Sequence, residues 1–226
     1  MPARPGRGPS LQDLAREREA AYRFLGTLLL PPTPAVATAL PGAARALRRT
    51  GRALTRLAVW TPWLRLLDAA ATVTFEDLAA DYRRRFAPRA GRSPLCESAW
   101  GPPADVPVVI ATLEREYAAA GFAPAPGCAE PPDHAAVELE FLGLLCGREA
   151  EAWAREDHQA AADALARQAR FLEEHLARWF GDLGRTLAAR DGAGLIALAS
   201  EAAWAFIAHD RRLLPLILGR LPRAAR

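Results

Sequence analysis

Residues 130–145 read EPPDHAAVELEFLGLL, and the fold class turns on this stretch. Two prolines force the incoming chain to be extended. Asp133 then offers a helix cap, which sets a carboxylate and the neighbouring His134 at the positive end of a helix dipole. From Val137 onward, Val137, Leu139, Phe141, Leu142, Leu144 and Leu145 leave almost no polar face, as in a helix buried on most sides. Glu138 and Glu140 are out of place in such a helix. His134 and Glu138 stand four apart, so one reading is a capped helix with a surface pair worth about 0.3 kcal/mol. The other is a polar pocket opening at the helix start, because buried carboxylates need partners. The residue types fit both.

Outward from this helix, helical punctuation recurs toward both ends, and β-branched residues alternating with polar ones are nearly absent. Ser10 and Asp13 form a capping-box pattern ahead of Leu11, Leu14, Tyr22, Leu25, Leu28 and Leu29 on one face, and Pro31 and Pro32 stop that helix. A second helix is expected over 43–59, with Leu47, Leu54 and Leu57 on one side and Arg45, Arg48, Arg49, Arg52 and Arg56 on the other. Thr61 and Pro62 open a third, which carries Trp63, Leu66 and Leu67. Thr74 and Asp77 open a fourth, ending near Phe86. A long loop over 87–104 holds Cys96, Glu97, Ser98 and Trp100, and unstructured loops of that length in compact domains are mostly functional. Residues 106–120 are helical, with Gly121 as C-cap.

A Pro/Gly-rich connection, FAPAPGCAEPP at 122–132, follows. Beyond it, helices are expected from Asp133 to about 150, over 157–181, and over 182–190, 194–209 and 210–219. The expected architecture is all-α, a bundle of roughly ten helices. It comprises a disordered tail (1–10), an N-terminal part (11–121), a hinge (122–132) and a C-terminal part (133–226).

Composition excludes several classes. With 51% hydrophobic and 24% charged residues over 226 positions, the chain can bury a core unaided and is too apolar for general disorder. The net charge of +3 is all arginine against acid, since lysine is absent, and near-balance argues against bulk nucleic-acid binding. The stripe at 45–56 is read as a solvated helix face. Cys96, Cys128 and Cys146 are an odd number without a C-x-x-C, which suits free thiols in a reducing compartment. The polar start MPARPGRGPS and charge-interrupted apolar positions fit neither a signal peptide nor a membrane span, so the cytoplasm is the expected location.

Catalytic motifs are missing: no G-x-S-x-G, Walker loop, G-x-G-x-x-G or H-E-x-x-H occurs, and no Glu precedes a His by three residues. A phosphate site at the Asp133 helix start has the wrong sign, because a carboxylate occupies the positive end. His158, His175 and His209 lack ligand partners at metal spacing and are read as structural or surface residues. Trp153, Trp179 and Trp204 fall at core positions. No enzyme, metal or cofactor is expected.

Three stretches together resemble the TorD/DmsD family of cytoplasmic chaperones that mature molybdoenzymes of the dimethyl-sulfoxide-reductase class. FEDLAADYRRRFAPRAGRSPLCESAW at 75–100 is similar to the family's Tyr-x-x-x-Phe helix and Glu-Ser loop. EREYAAAGFAPAPGCAEPPDHAAVELEFLGLL at 114–145 resembles its E-x-P-D-H signature and Glu-Leu-Glu-Phe helix. FLEEHLARWFGDLGRTL at 171–187 and AFIAHDRRLL at 205–214 resemble its closing helices.

The resemblance implies a helical fold hinged at E-x-P-D-H that binds the twin-arginine signal peptide of an apo-molybdoenzyme. It also implies holding back export until molybdenum cofactor is inserted, and a monomer or domain-swapped dimer. A leader with two guanidinium groups and an apolar stretch calls for carboxylates beside an apolar groove. Glu97, Glu130, Asp133, Glu138 and Glu140 are candidates for the first, and Tyr82, Phe86, Trp100 and Phe141 for the second. Carried over from the motif, Asp133 and His134 rank first, then Glu97, Ser98, Tyr82 and Phe86, with Pro132 in the same signature. Two alternatives remain: a NarJ-type assembly chaperone for a non-exported nitrate reductase-like enzyme, and a helical nucleic-acid-binding protein.

Overall fold

A computed structural model describes residues 10–51, 60–86, 93–124, 127–188 and 194–221. The expected tail, apart from Ser10, lies outside them, as do Arg52, Leu54, Arg56 and Leu57 of the expected second helix. The described residues form nine α-helices and two single 3₁₀ turns, with no β-strand. In chain order the helices are α1 (Leu11–Leu29), α2 (Pro34–Thr50), α3 (Trp60–Ala70), α4 (Phe75–Phe86), α5 (Val106–Ala119), α6 (Ala135–Ala154), α7 (His158–Glu174), α8 (Leu176–Ala188) and α9 (Leu195–Leu218). The all-α expectation holds.

The centre of the molecule is α1 against α6, the most extensive helix pair. The Ser10 capping box is formed in full and starts α1, whose inward face carries Ala15, Arg18, Tyr22, Leu25 and Leu29. Close approach depends on missing side chains. A Cβ on Gly26 would sit 3.1 Å from the Ala136 carbonyl, and one on Gly143 would sit 2.9 Å from the Arg23 side chain. The helix α6 is buried nearly all round, as its sequence requires. Around the pair, α7 packs on α6, and α9 touches α1, α3, α7 and α8. A ring cluster of Tyr117, Phe122, Phe141 and Phe171 fills the space between α5, α6 and α7.

Polar bonds fix the helices in the apolar core. Arg18 is buried, donating from Nε to Asp210 Oδ2 and from Nη1 to Glu149 Oε2, each at 2.8 Å. Gln168 accepts from the same guanidinium and donates to Glu149 at 3.0 Å, while Tyr22 donates to Asp210 at 2.8 Å. One cluster therefore joins α1, α6, α7 and α9. At the other end of α9, Asp81 of α4 accepts from the Ile196 amide at 3.0 Å and from Arg85 Nε at 2.8 Å.

Several boundaries differ from those expected. Helix α2 begins at Pro34, not 43, because Thr33 caps it through the Val36 amide and Pro34 occupies the first turn; Pro41 lies inside. The single helix expected over 157–181 is two, broken at His175, which has φ −122° and ψ −97°. The segments expected over 194–209 and 210–219 are one helix, α9, with Pro215 inside it. No disulfide joins Cys96, Cys128 and Cys146, and Cys96 and Cys146 are buried. No helix among the described residues is long and apolar enough to cross a membrane.

Candidate functional site

The start of α6 is assembled from distant parts of the chain. Residues 93–99 run antiparallel to residues 133–135, linked by an isolated bridge between Cys96 and His134. Ala135 donates its amide to the Leu95 carbonyl at 2.7 Å, and Glu97 donates to the Asp133 carbonyl at 2.8 Å. On the opposite side, the Tyr117 hydroxyl of α5 donates to the Pro132 carbonyl at 2.8 Å. The Pro-Pro-Asp-His connection is thus held from both flanks, and this is why buried backbone can exist there at all.

Asp133 does not cap α6, contrary to expectation. The N-cap is His134, whose Nδ1 accepts from the Ala136 amide at 3.2 Å. The buried Asp133 carboxylate turns instead to the Glu97–Ala99 3₁₀ turn, accepting from the Ser98 amide at 3.1 Å and from the Ser98 hydroxyl. With Nδ1 accepting, the proton of His134 sits on Nε2, 3.5 Å from Glu130 Oε2. Burial holds the pKa of His134 down to about 4, against the opposing pull of Asp133, so the ring is neutral at neutral pH.

The expected surface pair of His134 and Glu138 does not form. Glu138 is buried, and neither of its carboxylate oxygens has a hydrogen-bond partner. Burial, then the nearby carboxylates Glu97 and Asp133, push its pKa well above the usual range. The Trp179 indole N–H lies close enough to favour the charged form but outside hydrogen-bond geometry, so both groups stay unpartnered. Burial thus favours the protonated acid.

The twelve residues singled out by sequence do not converge on one surface. Glu130, Tyr82 and Phe86 are each half-buried, the two rings meeting edge to face at 5.0 Å. Tyr82 is close enough to Glu130 and Cys96 for both to act on its hydroxyl, which burial above all pushes up to about 12. Glu97 and Trp100 line a neighbouring cleft of about 160 Å³ with Ser98, Val109, Arg178 and Trp179. Trp100 is anchored there by its indole N–H to the Pro94 carbonyl at 3.0 Å.

The remaining candidates lie deeper or elsewhere. Asp133, His134 and Glu138 lie beneath this surface, and Phe141 belongs to the ring cluster of the core, not to an exposed groove. Glu140 faces elsewhere. It lies 3.8 Å from Arg23 and lines a separate apolar cavity of about 150 Å³ with Gly26, Leu30, Phe122 and Cys128.

Sequence reasoning misses His175. Its Nδ1 lies 2.8 Å from Glu97 Oε2, an ion-pair-type contact across 78 positions. Trp179, read from the sequence as a core position, lines the cleft, and Tyr117 holds the Pro132 carbonyl beside it. A helix break at His175 is the only signal that could expose this arrangement, and local sequence does not encode it.

Three comparisons with known proteins bear on this arrangement. Residues 52–185 match the family described as nitrate reductase delta subunit. The chain is 34% identical over 86 residues to a protein named chaperone protein TorD from Vibrio cholerae serotype O1, spanning 38% of this chain and 37% of that one. It is 33% identical over 137 residues to a selenate reductase assembly chaperone protein from Thauera selenatis, spanning 58% of this chain and 69% of that one. The match thus covers little more than a third of the first relative and about two thirds of the second.

Proposed function

Because the chain belongs to the nitrate reductase delta subunit family, we propose that it is an assembly chaperone for a molybdenum-dependent oxidoreductase and reads that client's twin-arginine leader. One observation carries the second half of this reading. Glu130 is a half-buried carboxylate whose partner among the described residues is a neutral imidazole, near Tyr82, whose ring meets that of Phe86. Burial raises its pKa, which marks a desolvated acid without a compensating cation among the described residues.

A leader guanidinium supplies that cation. It can take a bidentate contact from a carboxylate while its planar face lies on Tyr82 or Phe86. The adjoining cleft presents Glu97 as a second acidic partner and Trp100 as apolar surface. Asp133, Ser98 and His134 act as positioning residues that hold the loop bearing Glu97 against α6. No chemistry is required of the chain, in keeping with relatives named as chaperones. Retaining a client before its export places the encounter in the cytoplasm.

The test is calorimetric titration with a synthetic twin-arginine leader and its twin-lysine counterpart. Binding near 1 μM, about −8 kcal/mol, is expected for the first and at least tenfold weaker binding for the second. Glu130→Gln should weaken the arginine leader about tenfold and narrow the difference between the two peptides. Absence of leader binding would overturn leader recognition. The family's description favours the second reading, a chaperone of a non-exported nitrate reductase-like client; a leaderless client segment that binds in its place would establish it.

A further inference from the structure

The break between α7 and α8 gathers ligands that a continuous helix would keep apart. Consecutive helical residues point about 100° away from each other. At His175 the backbone leaves the helical region, and Glu174 and His175 instead reach the same spot. Glu116 of α5 completes the group, and one ligand atom from each of the three lies within 4.8 Å of the others.

Within this group the buried His175 ring is prepared as a ligand. It is 4% exposed, and its Nε2 has no hydrogen-bond partner. A carboxylate can only accept, so Glu97 Oε2, 2.8 Å from Nδ1, fixes the ring proton on Nδ1. Nε2 faces Glu116 Oε1 at 3.8 Å, and Glu116 Oε2 is itself buried without a partner. Two electron-rich groups facing each other across this gap call for a positive charge between them. The carboxylate–imidazole–cation arrangement is the usual outer-shell support of a metal-bound histidine.

We propose that His175 Nε2, Glu116 and Glu174 bind a first-row divalent cation such as Zn²⁺, with a coordination position left open. Two ligand atoms on a tetrahedral zinc stand about 3.4 Å apart, so the group closes by roughly 1 Å on binding. Glu174 is exposed and supplies that movement, giving up its 3.9 Å contact with Arg170. One imidazole with two carboxylates favours Zn²⁺ or Co²⁺ over Mg²⁺ and Ca²⁺. The bound ion would tie α5 to the α7–α8 junction and hold His175 against Glu97. This proposal does not depend on the leader reading.

The experiment titrates the untagged full chain with Co²⁺, followed by visible absorption, and with Zn²⁺ in competition. One equivalent should bind with the spectrum of a low-coordinate nitrogen–oxygen site, with Mg²⁺ ineffective at the same concentration. Glu174→Gln and Glu116→Gln should each weaken Zn²⁺ at least tenfold, while Glu174→Gln leaves leader affinity unchanged. If Glu116→Gln fails to fold by circular dichroism, Glu174→Gln alone decides. Absence of one-to-one binding, a thiolate-to-cobalt charge-transfer band, or unchanged affinity in Glu174→Gln would overturn the site. A proton shared by His175 and Glu116 would then be the charge in the gap.

Discussion

Replacing Arg18 by methionine isolates the contribution of the buried polar cluster to stability. The methionine keeps most of the apolar volume and removes the charge, leaving Glu149 and Asp210 buried in a place built for a guanidinium. Breaking a buried pair by deleting one partner costs about 3 to 5 kcal/mol. Two carboxylates lose their cation here, and one Asp210 oxygen already has no partner, so the upper half of that range is expected. With a urea slope near 3 kcal/mol/M, the unfolding midpoint falls by about 1.3 to 1.7 M. Far-UV circular dichroism in urea measures it. The triple variant Arg18→Met, Glu149→Gln, Asp210→Asn should recover more than half of the loss, because it removes the stranded charges. A loss below about 1 kcal/mol in the single variant, or no recovery in the triple, would refute the claim that the carboxylates depend on Arg18.

Two further outcomes follow from buried groups. The Glu138 pKa is raised on folding, so its proton stabilises the native state fully below the ordinary carboxyl range and is lost as pH rises through the folded value. Glu138→Gln should match the wild type near pH 4 and become progressively more stable toward pH 8, gaining about 1.4 kcal/mol for each pH step between the ordinary carboxyl range and the folded value. Parallel stability curves in urea would show that the acid is not held neutral. Gly194→Ala places a Cβ 2.3 Å from both Asp81 carboxylate oxygens and displaces the cap of α9. A loss of about 2 kcal/mol is expected, and an unchanged thermal midpoint would mean the α4–α9 contact yields freely.

Periodicity suffices for the helices whose signals are local. The Ser10 and Thr74 caps, the Gly121 turn and the all-round apolar pattern of α6 each involve residues within a few positions of one another. What escapes it is decided by partners far along the chain. Asp133 and His134 can both cap a helix, and Ser98, 35 positions earlier, draws Asp133 away. Glu174 and His175 sit in helix-favouring sequence, yet the ring turns to Glu97. Asp210, Arg211 and Arg212 read as a polar boundary, but Asp210 faces Arg18 and the helix runs through it. Thr33–Pro34 carries a legible start for α2, which Pro41 and Gly42 obscure. For the candidate site, the motif names a loop and a helix start that the fold brings together but not their depth: Asp133, His134 and Glu138 are inside, and Glu130, Tyr82 and Glu97 are half-buried.

The Arg18 cluster also constrains how the chain folds during synthesis. Arg18 and Asp210 are 192 positions apart. At about 5 to 20 residues per second, roughly 10 to 40 s separate the appearance of the two. Through that interval α1 can meet α6, its main neighbour, but Arg18 and Tyr22 lack Asp210. The polar lock on α1 is therefore completed late. Until α9 arrives, a buried guanidinium and a tyrosine hydroxyl wait for their shared acceptor.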